Sequence, residues 1–299
     1  MNHSNSVEIE SPTKRLWRTF SADWIALVGL AVLCSLILLA IFAPLLVPQN
    51  PYDLAQLNIL DGRLPPGSRS FDEKMFYFLG TDDQGRDIYS AIIYGMRISL
   101  GVGILSTLGA LIAGTTLGLS AAYMGKKIDS LIMRIVDIQL SFPAILIALI
   151  LLAVFGQGMG KIIIALITVQ WAYYARTVRS AALVEMGKEY IEAARSLGLG
   201  HGRIIFNHLL PNCIAPLIVV AAVQIAAAIA LEATLSFLGL GLPITEPSLG
   251  LLISNGYAYL MSGKYWISFY PGLALLVMIV SINLVADRLT DTLNPRLQK

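Results

Sequence analysis

The stretch that decides the fold runs from residue 209 to residue 231 and reads LLPNCIAPLIVVAAVQIAAAIAL. It carries no charged side chain over its whole length. An α-helix needs about 20 apolar residues to cross the hydrocarbon core of a bilayer, which is roughly 30 Å thick. The stretch therefore predicts a helix that spans a membrane.

Five further stretches extend this pattern along the chain. The uncharged ones are 25–47, 98–122, 138–160 and 265–286, and a shorter one, 162–175, lies between Lys161 and Arg176. Lysine and arginine side chains can extend outward from the ends of a short span, so the short stretch is counted as a span as well. The sequence predicts an all-α integral membrane protein with six transmembrane helices.

The composition agrees with this prediction. Hydrophobic residues make up 56% of the 299 residues and charged residues only 13%, whereas a soluble domain has about a quarter of its residues charged. This excludes intrinsic disorder and argues against a water-soluble enzyme. The net charge of +2 also argues against a nucleic-acid-binding protein, which would show a clustered basic face.

The distribution of lysine and arginine predicts the orientation of the chain. With the N-terminus inside, the cytoplasmic segments hold thirteen of these residues and the external segments seven, and Arg134 lies near the third span. Both termini are therefore expected in the cytoplasm. The predicted regions are a cytoplasmic segment 1–24, a first span 25–47 that is an uncleaved anchor, an external loop 48–96 ending in an interfacial helix, a five-helix core 97–287 that includes a cytoplasmic loop 176–208, and a cytoplasmic tail 288–299.

The cytoplasmic loop has the composition of an exposed helix. Residues 189–198 read EYIEAARSLG, and acidic and basic residues three and four apart favour one continuous helix over 177–197. Gly198 suits its end, because glycine adopts the left-handed conformation that terminates helices. Ala193, Ala194 and Ser196 would form a strip with little side-chain bulk, which suits insertion into a groove of another protein. A solvated amphipathic helix is the alternative interpretation.

The complete spacing of this loop resembles the EAA loop of permease subunits in binding-protein-dependent ABC importers. The residues EAA at 192–194 are followed after three residues by Gly198, and after nine more by HLLP at 208–211. In that family the loop is the coupling helix, which docks into a groove on the cytoplasmic ATPase. The resemblance implies the following coupling residues: Tyr190, Glu192, Ala193, Ala194, Leu197, Gly198, His208, Leu210 and Pro211.

Two further stretches resemble the dipeptide and oligopeptide branch of that family. Residues 79–87 read LGTDDQGRD, and residues 235–241 read LSFLGLG. A calcium loop is not expected in the first stretch, because the twelve-residue ligand pattern is absent. A capped turn leading into the interfacial helix fits it better. The external motif comprises Gly80, Thr81, Asp82, Gly85, Arg86 and Asp87.

Glu232 and its surroundings are the candidates for a translocation path. A carboxylate that follows a long apolar run is costly unless it faces protein, water or a partner. Glu232 could line the path, with Gln224 two turns earlier, or could be hydrogen-bonded to a neighbouring helix near the interface. Pro143 should kink the third span, which is compatible with a moving path and with a static bundle.

The sequence contains no recognisable motif for chemistry of its own. The phosphate-binding pattern GxxxxGK[ST] and the nucleophile pattern GxSxG are absent, and the histidines and cysteines lack zinc spacing. We therefore expect a transport subunit that is not an enzyme and binds no metal or other cofactor.

The resemblance implies the type I ABC importer permease fold in the cytoplasmic membrane of a bacterium. It also implies two ATPase subunits that bind ATP and Mg²⁺, a second homologous permease and an external solute-binding protein. The expected function is import of di- or oligopeptides by alternating access. The alternatives are import of a nickel chelate, glutathione, an oligosaccharide or an antimicrobial peptide, or secondary transport without ATP, for which a single Glu232 is a thin proton relay.

Overall fold

The computed structural model describes residues 12–246 and 248–293, and most of them are helical. The helices are α1 Pro12–Ser21, α2 Trp24–Ile41, α3 Ala43–Leu46, α4 Ile88–Met124, α5 Lys126–Ser141, α6 Ala144–Phe155, α7 Met159–Met186, α8 Glu189–Ser196, α9 His201–Ile204, α10 Leu210–Phe237, α11 Leu249–Tyr257 and α12 Trp266–Leu293. A π-helical segment, Ile205–Leu209, joins α9 to α10. Short 3₁₀ turns lie at Leu54–Gln56, Ile59–Asp61 and Leu260–Ser262, and an antiparallel pair of strands comprises β1 Ser68–Arg69 and β2 Phe76–Tyr77.

The long apolar helices form the membrane-spanning part of the fold. In the described part of the chain, four segments are long and apolar enough to cross a membrane: α2, α4, α12 and the continuous segment His201–Phe237. The pair α5 and α6 gives a fifth if it is one bent span. The predicted span 162–175 lies inside α7, whose 28 residues are about 42 Å long. The predicted number of six spans is compatible with these helices and stays a prediction.

Pro143 breaks the third predicted span, as expected. The break between α5 and α6 is a bend of 94°, because proline lacks the amide hydrogen and its ring clashes with the preceding turn. Two ion pairs hold α5 against α7, with Asp129 bound to Arg179 and Asp137 bound to Arg176. Since the residue numbers rise along α5 while they fall along α7, the two helices run antiparallel.

Glycines allow α4 and α7 to pack closely within this chain. A Cβ atom at Gly114 would lie 2.3 Å from the carbonyl oxygen of Trp171, and one at Gly118 would lie 2.4 Å from that of Ala175. Neither distance leaves room for a side chain, because the atoms in the way belong to the backbone. These glycines thus serve close helix packing of the small-xxx-small type inside the chain.

The helix predicted at the end of the external loop is not a separate element, and its interfacial position stays a prediction. The structure instead has α4 beginning at Ile88 and continuing for 37 residues, so that residues 88–96 are the first turns of a long helix. Most of these residues are buried. Arg97 directly precedes the uncharged stretch 98–122, but its exposed side chain leaves the helical backbone uninterrupted.

The predicted continuous helix over 177–197 is wrong. The structure ends α7 at Met186 and begins α8 at Glu189. Gly187 lies at this break, and glycine is among the poorest helix formers. The last helix continues to Leu293, into the predicted tail 288–299, whereas residues 294–299 and residues 1–11 of the predicted N-terminal segment lie outside the described residues.

Candidate functional site

Helix α8 rests across the ends of three long helices, at the end of the bundle that carries residues 187–200 (the loop end). Its Ile191 is fully buried and its Ala194 is 4% exposed. Both belong to one apolar cluster that includes Leu119 of α4, Val178 of α7 and Cys213 of α10. Movement of α8 would therefore bear directly on these three helices.

Gly198 ends α8 in the manner predicted. Its φ is +69°, a conformation that glycine adopts without the steric cost of a Cβ atom. The Gly198 amide donates to the carbonyl of Arg195 at 3.0 Å, and the Leu199 amide donates to that of Ala194 at 3.2 Å. This pair of bonds is the Schellman motif, which fixes the direction in which the chain leaves α8.

The predicted strip of exposed small residues is partly wrong. Ala193 and Ser196 are exposed, together with Glu192 and Leu197, and Leu197 is 79% exposed. Ala194 instead faces the core, because residues three apart on a helix share a face and Ile191 is the buried anchor. The outward surface of α8 is therefore mixed, with charged, small and apolar residues.

Tyr190 joins α7, α8 and α10. Its hydroxyl donates to Glu185 at 2.7 Å and accepts from the side-chain amide of Asn212 at 3.3 Å. Asn212 also donates to the backbone carbonyl of His208 at 2.7 Å, so His208 joins this hydrogen-bond network through its backbone and not through its imidazole. Partial burial and the Glu185 carboxylate raise the pKa of Tyr190 to about 12, and the hydroxyl stays protonated as a donor.

The last two predicted coupling residues lie at the start of α10. Leu210 is half-buried and Pro211 is exposed, and Pro211 lies in the first turn of α10, directly after the π-helical segment. The HLLP stretch is thus the junction between the π-helical segment and α10.

Three residues that the sequence did not single out tie α4 to the loop end. The Tyr123 hydroxyl lies 2.6 Å from Nδ1 of His201, and the guanidinium of Arg195 lies 5.7 Å from the centroid of the Tyr123 ring. The first two are 78 positions apart in the chain. No local spacing relates residues so distant in sequence, so this cluster could be found only in the folded chain.

The external motif forms a buried turn at the opposite end of the bundle, which is called the motif end and carries residues 80–87. Gly80 and Gly85 have φ values of +81° and +77°. A Cβ atom at Gly85 would lie 2.2 Å from the carbonyl oxygen of Asn58. Thr81 accepts from the Leu64 amide at 2.7 Å and donates to the carbonyl of Asp61 at 2.5 Å. These contacts fold the long loop back onto the motif.

Asp82 and Arg86 are a charged pair inside this turn. Both side chains are 1% exposed, and Asp82 Oδ2 lies 3.9 Å from Arg86 Nη1. Asp82 Oδ1 accepts from the amides of Gln84 and Arg86, each at 2.9 Å. Burial raises the pKa of the Asp82 carboxyl, and the Arg86 guanidinium opposes the rise. Arg86 also donates to the carbonyl of Ile244 at 2.9 Å, which links the motif to the loop between α10 and α11.

Asp87 caps the start of α4, as the predicted turn required. Its carboxylate accepts from the Ser90 amide at 2.9 Å and from the Ser90 hydroxyl at 2.5 Å. Its own amide donates to the side-chain oxygen of Gln49 at 2.7 Å. Burial raises the pKa of Asp87, and the bonds from Ser90 oppose that rise. Among the described residues, no group of three or more His, Cys, Asp or Glu side chains could hold a metal ion.

The path candidates have different environments. Glu232 is fully buried, and it accepts from the Ser99 hydroxyl of α4 at 2.9 Å and from the Ser236 hydroxyl at 2.8 Å. Gln224 is 8% exposed, and its backbone carbonyl accepts from the side-chain amide of Gln170 of α7 at 3.0 Å. Pro143 is exposed at its bend. Their roles in a path stay predictions, although the contacts of Glu232 favour helix packing.

Replacing Glu232 by Gln is expected to leave the ratios between the uptake rates of different substrates unchanged. The amide is of the same size and its oxygen still accepts a serine hydroxyl, so only about 1 kcal/mol of helix-packing energy is at risk. Uptake measured for a series of substrates, beside thermal unfolding of the variant, checks this. A change in substrate preference would instead place Glu232 on the path.

These features define a class of protein: a helical membrane protein with a short helix seated across the ends of its long helices, in the fold of solved ABC transporters. The MetNI methionine ABC transporter, in a crystal form described as inward facing, has this fold with a TM-score of 0.57, 20% identity and coverage of 69% of this chain and 98% of that one. An amino acid ABC transporter crystallised with histidines has a TM-score of 0.51 and 17% identity, covering 68% and 94% of the two chains.

Sequence comparison gives the family. The model for the binding-protein-dependent transport system inner membrane component matches residues 114–299, and that for the N-terminal TM domain of oligopeptide transport permease C matches residues 11–66. The chain therefore belongs to the binding-protein-dependent permease family, in its dipeptide and oligopeptide branch. It is a membrane transport component and not an enzyme.

Curated relatives cover nearly the whole chain. The dipeptide transport system permease protein DppC of Alkalihalophilus pseudofirmus is 39% identical over 96% of this chain and 91% of its own length. The protein of the same name from Escherichia coli K12 is 39% identical, with 97% and 95% covered. The di/tripeptide transport system permease protein DppC of Pseudomonas aeruginosa is 36% identical, with 98% and 95% covered. The resemblance to importer permeases is thereby confirmed.

Proposed function

We propose that this chain is the permease subunit of an importer that moves di- and oligopeptides across the cytoplasmic membrane by alternating access. A second homologous permease would complete the path, an external solute-binding protein would deliver the peptide, and two cytoplasmic ATPases would bind ATP and Mg²⁺ and supply the energy. The names of the relatives support peptides as the cargo.

The observation that carries the proposal is the seating of α8. One face of this helix is buried in the apolar cluster through Ile191 and Ala194, whereas Glu192, Ala193 and Leu197 are exposed. A helix anchored to several long helices and exposed on its other side has the arrangement expected of an element that receives force from a partner. The partner would hold the exposed face while the buried face moves the bundle.

The contacts of α10 provide a route from the loop end to the motif end. Near the loop end, Asn212 is bonded to Tyr190 of α8. Near the other end of the same 28-residue helix, Glu232 is bonded to Ser99 of α4. Because α10 is about 42 Å long, a tilt begun at α8 would reach both sides of a bilayer. Shifting a two-state equilibrium from 1:99 to 99:1 takes about 5.5 kcal/mol, which ATP bound to the partners would supply.

The proposed orientation places the loop end in the cytoplasm, with both termini on that side. The excess of lysine and arginine in the segments assigned to the inside supports this orientation. It also places α8 where ATPases are found, and it places the Asp82–Arg86 turn where an external binding protein docks.

Co-purification and uptake together test the function. A tagged chain, expressed with the neighbouring transport subunits and extracted in detergent, should retain ATPase subunits, and proteoliposomes with that complex should take up labelled peptides only with ATP. The matching binding protein should carry a peptide when purified. Uptake without ATP would contradict the proposal, and a nickel chelate, glutathione or oligosaccharide on the binding protein would reassign the cargo.

A further inference from the structure

Helix α5 carries a basic face that no part of the described chain neutralises. Its two acidic residues, Asp129 and Asp137, are both paired with arginines of α7. Lys126, Lys127 and Arg134 are exposed, and in residues 12–246 and 248–293 no acidic side chain forms an ion pair with them. Three positive charges therefore point away from the bundle.

These cations share a groove. A depression of about 400 Å³ is lined by Lys126, Lys127, Ser130, Leu131 and Arg134. Lys127 and Arg134 are seven residues apart, which is about two turns along one side of α5, and Lys126 directly precedes Lys127. The volume is within the range of small-ligand pockets in proteins.

An aliphatic strip continues this groove along the helix. Leu131, Ile135 and Ile138 are 63%, 48% and 57% exposed, and their spacing places them on the same side of α5 as Lys127 and Arg134. The chain thus presents two lysines at the start of a helix face and aliphatic surface along the rest, with Arg134 between Leu131 and Ile135. An anionic phospholipid has the complementary distribution.

The opposite side of α5 is used within the chain. Val136 is fully buried and packs with Ala172 and Ala175 of α7, and Gln139 donates to the carbonyl of Val169 at 3.1 Å. The contacts of Val136 and Gln139 with α7 therefore lie on the side of α5 opposite the basic and aliphatic residues. The start of α5 is three residues after Tyr123, which contacts the loop end through His201, so Lys126 and Lys127 lie near the loop end.

We propose that the face of α5 formed by Lys126, Lys127, Leu131, Arg134 and Ile135 binds an anionic phospholipid. The phosphate would lie among the cations, and the acyl chains would lie along the aliphatic strip. Basic groups beside transmembrane helices attract anionic head groups, and a long arginine side chain can reach the interface from a position further along the helix. A soluble anion would make no use of the aliphatic strip, and the inference does not depend on the transported solute.

Lipid retention by the purified full chain, with its partner subunits, tests the basic groove. Native mass spectrometry with added dioleoylphosphatidylglycerol should show bound lipid on the unmodified protein. The variant K126Q/K127Q/R134Q should bind about a hundredfold more weakly, since each cation near a membrane surface contributes about fivefold. Lys161→Gln, which removes an exposed cation next to the α6–α7 turn, is the matched control and should retain the lipid. Retention of dioleoylphosphatidylcholine should be equally weak in all three proteins.

The aliphatic strip is tested separately. Leu131→Ser combined with Ile138→Ser should weaken retention of phosphatidylglycerol, and inorganic phosphate in millimolar excess should not displace the lipid. Unchanged retention in the triple variant would overturn the proposal, as would displacement by phosphate alone. Loss of the ATPase subunits with lipid retained would identify the groove as a protein contact instead. If the triple variant does not purify, K127Q/R134Q serves in its place, with about a 25-fold loss expected.

Discussion

Replacing Gly198 by Asp should abolish peptide uptake and loosen the ATPase subunits while the chain still inserts into the membrane. Gly198 has a φ of +69°, and a left-handed conformation costs a residue with a Cβ atom about 1–2 kcal/mol. The Schellman turn that directs the chain out of α8 depends on this conformation. Among the described residues other than its chain neighbours, no heavy atom lies within 4 Å of a Cβ placed at Gly198, so the loss would come from the backbone and from the surface offered to a partner.

Uptake in proteoliposomes and pull-down of the tagged chain measure this effect. Gly200→Asp is the matched control, because it adds the same charge two residues away, at a φ of −61° and in an N-cap position that favours aspartate. Gly198→Asn separates charge from conformation, since asparagine tolerates the left-handed region better than most residues, and it should keep part of the uptake. Normal transport by Gly198→Asp would remove α8 from the docking role.

Replacing Arg86 by Met should destabilise the folded chain by about 3–5 kcal/mol, because breaking a buried pair leaves a charge without its partner. In this variant the Asp82 carboxylate would keep its place in the turn at 1% exposure and would lose its counter-charge. The bond from Arg86 to the carbonyl of Ile244 would be lost as well, which would release the loop between α10 and α11 from the motif.

Unfolding of the detergent-solubilised chain, followed by denaturant titration, measures this loss. Arg63→Met is the matched control, since Arg63 is an exposed cation of the same loop whose contact with the Tyr259 ring is worth about 1 kcal/mol or less. The double variant with Asp82→Asn should recover part of the stability, because it removes the unpaired charge. Equal losses of unfolding free energy for Arg63→Met and Arg86→Met would show that the buried Asp82–Arg86 pair contributes no more to stability than an exposed cation does.

The sequence predicts well those features that depend on residues close together in the chain. The apolar runs locate the long helices, Pro143 locates the sharp bend, and Gly198 locates the end of α8, because each of these follows from local backbone chemistry. Asp87 as the cap of α4 belongs to the same group, since a cap acts on the next three residues.

Features set by contacts across the fold could not be predicted in this way. Ala194 belongs to the same small-residue run as Ala193, and only the packing of α8 on the bundle turns one inward and the other outward. The partner of Arg86 at Ile244 is 158 positions away. The predicted span 98–122 begins after Arg97, whereas α4 begins at Ile88. The Arg97 side chain is exposed, so its charge does not interrupt the helical backbone.

The length of α4 has a geometric consequence for the two ends of the molecule. Its 37 residues measure about 56 Å, so even a tilt of 40° leaves it longer across the bilayer than the roughly 30 Å of hydrocarbon. The rod must emerge into the head-group layers, with Asp87 at one tip and Tyr123 close to the other. Because α4 is one continuous helix, a rotation of either end would be transmitted to the other side of the membrane without crossing a loop or a helix break.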